Sequence, residues 1–366
     1  MSAITVGGEL IHYEVLGRGR PVVLVHGWLG AWRYWIPTMQ QLHMKYRVYA
    51  LDLFGFGDSG KNERDFSVQE QAAMLDEFMD QLAIPRAAFI GHGLGAMVVA
   101  EFAFKHQKQR VPRAMLVSLP LFEVDDMHNL RRHRLNDTRG ANIDPDRTIP
   151  SGSLEATIPS AGMMRAALLE RAAAASNRSA SKVPNPIQSS SKDSKTDNVL
   201  EKHINSQING IDRYRMLDLC FSPKQVEYGK LLSDVRKTDD RALHRTIGDF
   251  DAGKMLATIR QLEIPYAIVH GYNDRIIPSP SDSVLRFLKN IDPSIILDDK
   301  VDRYEPSEVK SQRKRLENTL GLAALPNVGH FPMLEYERFG RLVNDFLEKS
   351  DLDDLKTRDS WHRPIN

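Results

Sequence analysis

Short, uninterrupted apolar runs alternate with stretches whose apolar residues recur every three or four positions along residues 1–122. Such runs are typical of strands buried on both faces, and the recurring spacing is typical of amphipathic helices. The predicted strands are Pro21–Val25, Tyr46–Leu51, Ala87–Ile90 and Ala114–Leu119, and the predicted helices are Trp35–Met44, Ser67–Leu82 and Leu94–His106. A hairpin is predicted at 4–15, around Gly7-Gly8. Because strands joined by crossover helices pair in parallel, the alternation predicts an α/β fold with a mostly parallel sheet.

The strand pattern stops near residue 122 and returns at Pro265–Val269. Between these points, residues 172–198 are rich in Ser, Ala, Lys, Asn and Pro. A segment of this composition buries too little apolar surface to offset its ordering entropy, so we predict that it is disordered. The other predicted elements are helices at 211–220, 226–235, 241–246, 282–288 and 335–349 and a strand at 322–325.

Polar or glycine-rich segments follow five of the predicted strands. They are His26-Gly27-Trp28, the segment Asp52 to Gly60, Gly91-His92-Gly93-Leu94-Gly95, the segment Gly271 to Arg275, and the segment Asn327 to Pro332. In an open parallel sheet, ligands bind beyond the carboxyl ends of the strands. We therefore expect these five segments to meet at one edge of the sheet and to form the functional site.

In this order, the five segments resemble the α/β-hydrolase superfamily, in its capped, epoxide-hydrolase-like and esterase-like members. The resemblance covers roughly residues 1–122 and 240–350. It implies an eight-stranded, mostly parallel sheet flanked by helices, with a helical cap inserted after the sixth strand. The implied organisation is a core in two parts at 1–122 and 241–349, a cap at 123–240, and a polar tail at 350–366.

The resemblance also implies roles for individual residues. His330 matches the catalytic histidine and Asp274 matches the acid that orients it. The backbone N–H groups of Trp28 and Leu94 match the two donors of the oxyanion hole.

The segment that matches the nucleophile elbow departs from the family pattern. The family has Gly-x-Ser-x-Gly, whereas this chain has Gly91-His92-Gly93-Leu94-Gly95, so Gly93 occupies the nucleophile position without a side chain. We expect the side chain of His92 to point away from the pocket. Removing the nucleophile of a serine hydrolase costs about a millionfold in turnover. The sequence therefore predicts a protein that is weak or inactive as an esterase and binds a small apolar ligand under the cap.

A second interpretation is that the protein is catalytically active without a serine nucleophile. The His330–Asp274 pair could activate a water, or take a proton from a bound substrate, and so act as a hydrolase or a lyase without a serine. Ser118 and Cys220 are poor candidates for a replacement nucleophile because no catalytic signature surrounds them.

A third interpretation is that Gly91-x-Gly93-x-x-Ala96 binds a dinucleotide, because it follows a strand and begins a helix. That motif requires an acidic residue at the end of the next strand, and Ala114–Leu119 has none there. We therefore expect no nicotinamide or flavin cofactor.

Composition excludes several classes of function. Lys and Arg number 49 and Asp and Glu number 48, so no net field would attract nucleic acid or an anionic membrane. The chain has one cysteine, and we find no ligand spacing typical of a metal site. No segment resembles a secretory signal or a membrane span, so we expect a cytoplasmic protein that acts on a small molecule.

Overall fold

A computed structural model describes residues 2–62, 65–121, 213–280, 284–285, 288, 319–352 and 355 of the chain. The predicted disorder at 172–198 lies outside these residues, as does most of the predicted cap. The described residues form an α/β fold.

Eight strands form a single sheet. They are β1 (Ser2–Val6), β2 (Glu9–Leu16), β3 (Arg20–Val25), β4 (Tyr46–Leu51), β5 (Ala88–His92), β6 (Ala114–Val117), β7 (Tyr266–Gly271) and β8 (Leu320–Leu325). Their order across the sheet is β1-β2-β4-β3-β5-β6-β7-β8. The pairs β1–β2 and β2–β4 are antiparallel, and β4, β3, β5, β6, β7 and β8 are parallel neighbours in that order. The predicted eight-stranded, mostly parallel sheet is confirmed.

The described helices are α1 (Ile36–Leu42), α2 (Val68–Gln81), α3 (Leu94–Arg110), α4 (Arg213–Cys220), α5 (Val226–Val235), α6 (Asp240–Gly248), α7 (Ala252–Arg260) and α8 (Tyr336–Glu348). Short 3₁₀ helices span Trp32–Trp35 and Pro332–Leu334. Ser67 caps α2: its hydroxyl accepts the Glu70 N–H at 3.2 Å. The predicted boundary between cap and core at 240/241 falls at the first residue of α6.

Two apolar cores lie on opposite faces of the sheet. On one face, α2, α3, α6 and α7 cover the alternate strand residues that include Phe89 and Leu116. On the other face, α1, α4, α5 and α8 cover the intervening residues, which include Ile90 and Val117. Because parallel strands covered on both sides bury most of their residues, their sequences are largely apolar, and the charged residues Arg20 of β3 and Arg47 of β4 are exposed. The carboxyl ends of β3, β5, β6, β7 and β8 therefore lie along one edge, where the functional segments follow.

Candidate functional site

Asp274 and His330 come together from loops that follow different strands. Asp274 lies after β7, and its Oδ1 accepts the backbone N–H groups of Ile276 at 2.8 Å and Ile277 at 2.9 Å. Its Oδ2 is 2.8 Å from Nδ1 of His330, and both side chains are almost fully buried. A carboxylate can only accept, so Nδ1 of His330 carries a proton, which leaves Nε2 as the ring atom that can take another. The pair has the arrangement of a histidine base and its orienting acid.

Gly93 lies in the sharp turn between β5 and α3. Its φ of +53° and ψ of −112° are rare for residues with a side chain. Its N–H donates to the carbonyl of Val117, and its own carbonyl accepts the N–H groups of Ala96 and Met97. A Cβ built at this position would lie 3.6 Å from Gly27 Cα and 3.6 Å from the Trp28 ring, which is ordinary contact distance. The turn therefore has room for a side chain at residue 93.

The two flanking glycines have no such room. A Cβ on Gly91 would lie 2.2 Å from the carbonyl oxygen of Gly95, and a Cβ on Gly95 would lie 2.3 Å from that of Val25. These glycines allow the first turn of α3 to pack directly against the ends of β5 and β3. The close packing holds the N-terminus of α3 beside the loop after β3.

The loop after β3 carries Trp28, whose backbone N–H is a predicted oxyanion-hole donor, as is that of Leu94 at the start of α3. His26 braces the loop: its Nε2 accepts the N–H of Leu53 at 2.9 Å, and its Nδ1 donates to the carbonyl of Gly27 at 2.8 Å. The buried Trp28 side chain donates from its indole N–H to the hydroxyl of Thr246 in α6 at 3.0 Å. Among the backbone hydrogen bonds of the described loops and helix ends, none has the N–H of Trp28 or Leu94 as donor. Both groups therefore keep the donor capacity that an oxyanion hole needs.

His92, whose side chain was expected to point away from the pocket, is buried at the end of β5 on the face that packs against α1 and α8. Its ring lies 4.7 Å from the ring of His330, measured between centroids. Ser118, just after β6, has a φ of +46° and donates its hydroxyl to the carbonyl of His330 at 3.4 Å. Cys220 is at the end of α4, where burial, and secondarily the charge of Asp274, raise the pKa of its thiol well above the usual value. Its thiol therefore stays protonated at neutral pH and is a poor nucleophile.

The sequence analysis missed His270. This histidine is buried at the end of β7, and neither ring nitrogen has a hydrogen-bond partner among the residues that the structure describes. Burial lowers the pKa of His270 to about 4, although the charge of Asp274 opposes the shift. The available signal was its position four residues before Asp274, but a histidine at the end of an apolar run does not by itself indicate a site.

Replacing His270 is expected to change how stability depends on pH. The native state holds this ring neutral down to about pH 4, whereas the unfolded chain takes up the proton near pH 6.5. Stability is therefore lost as the pH falls from about 6.5 to about 4, at up to about 1.4 kcal/mol per pH unit for one proton. His270→Leu should reduce that slope by about this amount in urea unfolding measured at pH 4.5 to 7.5. The control Ile268→Val shortens another buried side chain of β7 without removing a titratable group, so it should keep the original slope; an unchanged slope in His270→Leu would contradict the prediction.

A group that could suggest a metal site lies elsewhere. His12, Asp52 and Asp58 bring possible ligand atoms within 4.8 Å of one another. Asp58 pairs with Arg33 and Lys237, and although burial opposes it, these hydrogen bonds hold the pKa of Asp58 at about 2. Since the Asp58 carboxylate is already neutralised by two cations, the group is better suited to joining loops than to holding a metal.

A polar cleft of about 690 Å³ lies beside this network. It is lined by Gly57, Asp58, Lys61, Arg213, Arg236, Lys237, Thr238, Asp239 and Asp240. Gly57 and Asp58 belong to the predicted segment Asp52 to Gly60, but neither His330 nor Asp274 lines the cleft.

A family model for the alpha/beta hydrolase fold matches residues 20–289. The chain belongs to the alpha/beta hydrolase fold family. The match begins at the first residue of β3 and includes the turn at Gly93 and the acid Asp274.

Curated relatives of this alpha/beta hydrolase include epoxide hydrolases. The soluble epoxide hydrolase of Corynebacterium sp. is 33% identical over 102 residues, which cover 28% of this chain and 36% of that protein. Bifunctional epoxide hydrolase 2 of Rattus norvegicus is 31% identical over 134 residues, covering 34% of this chain and 24% of that protein. The chain thus spans about a third or less of the length of these relatives.

Solved structures share the fold over nearly the whole alpha/beta hydrolase chain. An esterase from Exiguobacterium antarcticum has a TM-score of 0.56 at 15% identity, covering 95% of this chain and 99% of that one. A thermophilic esterase from Thermogutta terrifontis has a TM-score of 0.56 at 16% identity, covering 96% of this chain and all of that one. Within the described residues, no helix has the length and apolarity required to cross a membrane.

Proposed function

We propose that this alpha/beta hydrolase binds a small apolar molecule beside His330 and does not act as an ordinary serine esterase. The observation that carries the proposal is Gly93. It occupies the turn between β5 and α3 where the family places its serine, and it supplies no hydroxyl. A covalent acyl-enzyme therefore has no nucleophile at this position.

Aromatic side chains support an apolar ligand. The Trp28 ring lies next to the free space at Gly93. Phe331 follows His330 directly, and its ring lies 5.3 Å from the ring of Phe221, just beyond α4. Apolar walls with a few placed polar groups are typical of small-molecule sites. The near-zero net charge of the chain agrees with a neutral small molecule rather than nucleic acid as the partner. The single cysteine, Cys220, supports the proposal of a cytoplasmic protein.

A second candidate function is catalysis by the His330–Asp274 pair without serine. The observation that favours it is the 2.8 Å contact from Nδ1 to Asp274, which leaves Nε2 as a base. A water would give its proton to Nε2 as its oxygen bonds to the carbonyl carbon of a substrate, or a C–H next to that carbonyl would give its proton to Nε2. In both cases the electron pair moves to the carbonyl oxygen, and the N–H groups of Trp28 and Leu94 would stabilise the oxyanion. The dinucleotide interpretation has less support, because β6 ends at Val117 and Ser118-Leu119 follow in place of an acidic residue.

Acylation by p-nitrophenyl acetate distinguishes these functions from a serine esterase. We expect the quenched protein to show no acetyl adduct in the peptide that contains Gly93, measured by mass spectrometry, because that position has no hydroxyl. Turnover of the ester or of styrene oxide that is lost in His330→Ala would favour the second candidate. Binding of 1-anilinonaphthalene-8-sulfonate, an anionic dye that fluoresces in apolar sites, with neither turnover nor adduct would favour the first. An acetyl adduct in that peptide would contradict both.

A further inference from the structure

The His92 side chain bonds at both ring nitrogens within the core. Nδ1 is 3.0 Å from the hydroxyl of Tyr34, and Nε2 is 2.7 Å from the backbone carbonyl of His330. The Tyr34 hydroxyl in turn accepts the backbone N–H of Gly27 at 2.7 Å. His92 and Tyr34 are both buried. Every member of this chain of hydrogen bonds is thus removed from water, where an unpaired polar group would be costly.

The chain of hydrogen bonds allows one arrangement of protons. The His330 carbonyl can only accept, so Nε2 of His92 carries a proton. The Tyr34 hydroxyl accepts from Gly27, so its own proton is available to Nδ1 of His92. Burial, and then the neighbouring His330, lower the pKa of His92 well below the ordinary value, so the ring stays neutral and Nδ1 can accept. The Gly27 N–H thus donates to the Tyr34 hydroxyl, that hydroxyl donates to Nδ1 of His92, and Nε2 of His92 donates to the His330 carbonyl.

The same series of hydrogen bonds connects three loops that strand pairing within the sheet does not connect. Gly27 follows β3, His92 ends β5, and the His330 loop follows β8, which is separated from β5 by β6 and β7. The His330 loop must therefore cross the ends of two strands to reach the turn at Gly93. The bond from His92 holds the backbone of His330 at the far end of that crossing, and the longer bond from Ser118 supports it from β6.

We propose that Tyr34 and His92 are positioning residues, which fix His330 and the Gly27–Trp28 loop relative to each other through the backbone. Neither is proposed to exchange a proton with a ligand; the His92 ring also lies against that of His330, with 4.7 Å between centroids. The inference rests on the proposed role of His330 as the base of the site, and it adds the residues that determine where that base lies. His92 can make this hydrogen bond because its side chain lies on the face of the sheet opposite α3.

Nuclear magnetic resonance of ¹⁵N-histidine-labelled protein tests this directly, because it observes His330 without ligand or turnover. In the unaltered protein, we expect a resolved Nδ1–H signal from His330, protected by Asp274. In Tyr34→Phe and His92→Leu, solvent exchange of that proton should accelerate on the order of tenfold, as expected when a buried loop loses a hydrogen bond. His92→Gln, whose amide can still donate to the His330 carbonyl, should restore much of the protection.

Tyr266→Phe is the matched control, because it removes another buried tyrosine hydroxyl from β7. Its His330 signal should be unchanged. Unchanged exchange in both Tyr34→Phe and His92→Leu would overturn the proposal, as would equal effects of His92→Gln and His92→Leu or a matching effect of Tyr266→Phe. If His92→Leu does not fold, the exchange rate of the His330 Nδ1 proton in the nearly isosteric Tyr34→Phe decides the test. An acetyl adduct on the unaltered protein would contradict the proposed function and leave this result unaffected, so the two failures are distinguishable.

Discussion

Gly93→Ser should create esterase activity on p-nitrophenyl acetate, with kcat/KM rising by about a thousandfold or more over the unaltered protein. The Cβ of a serine would meet Gly27 and Trp28 at 3.6 Å, so it fits without displacing backbone. The Asp274–His330 pair already has its 2.8 Å hydrogen bond, and the turn already has the backbone conformation at which the family holds its serine. The substitution thus supplies the missing hydroxyl to an otherwise assembled site.

Gly93→Ala is the matched control for this experiment. It introduces the same Cβ at a φ of +53° and the same backbone strain, of about 1–3 kcal/mol, without the hydroxyl. We expect Gly93→Ala to remain inactive, and Gly93→Ser combined with His330→Ala to lose the gained activity. A rate for Gly93→Ser no higher than that for Gly93→Ala would show that His330, Trp28 or Leu94 is not placed for acyl transfer.

Gly95→Ala should destabilise the protein by about 3 kcal/mol or more, or prevent folding. Helix propensity alone predicts the opposite, because replacing a glycine inside a helix with alanine stabilises by about 1 kcal/mol. The new Cβ would lie 2.3 Å from the carbonyl oxygen of Val25 and 2.6 Å from that of His26. Both atoms belong to the backbone of β3 and its loop, so relief of the clash requires α3 to move away from the sheet.

Urea unfolding of Gly95→Ala beside Gly93→Ala and Gly248→Ala measures this effect. Gly248 ends α6, and a Cβ there meets nothing within 4 Å, so Gly248→Ala isolates the gain from propensity. We expect stability to fall in the order Gly248→Ala, Gly93→Ala, Gly95→Ala. A Gly95→Ala protein as stable as the parent would mean that α3 does not pack against β3 as closely as the structure describes.

Local pattern was sufficient to predict most of the core fold. Buried strands contain continuous apolar runs because both faces of a parallel sheet are covered, and that requirement is visible in Val22–Val25 without any tertiary information. The hydroxyl of Ser67 caps α2 through a bond to a residue three positions away, which is also a local property. The helix α7 was missed because it is short and contains Gly253, although Asp251 caps it by accepting the Lys254 N–H.

The candidate site was predicted in part. The order of the five segments indicated that Asp274 and His330 would meet, because each follows a strand and the carboxyl ends of parallel strands share an edge. That residue 93 has no hydroxyl was evident from the sequence alone. His270 was not predicted, since its two unpaired nitrogens result from what surrounds the end of β7.

The sequence by itself determined the strands, the family pattern and the missing hydroxyl, since each depends on residue types at fixed short spacing. The tertiary structure decided which distant groups touch. His92 and the carbonyl of His330 are 238 positions apart, and Trp28 and Thr246 are 218 positions apart, yet each pair forms a hydrogen bond. Such contacts depend on the order of strands in the sheet and on how loops cross its edge, and no local pattern encodes either. The same holds for the room at Gly93 and its lack at Gly95: both are glycine in the sequence, and the packing of α3 against β3 makes them different.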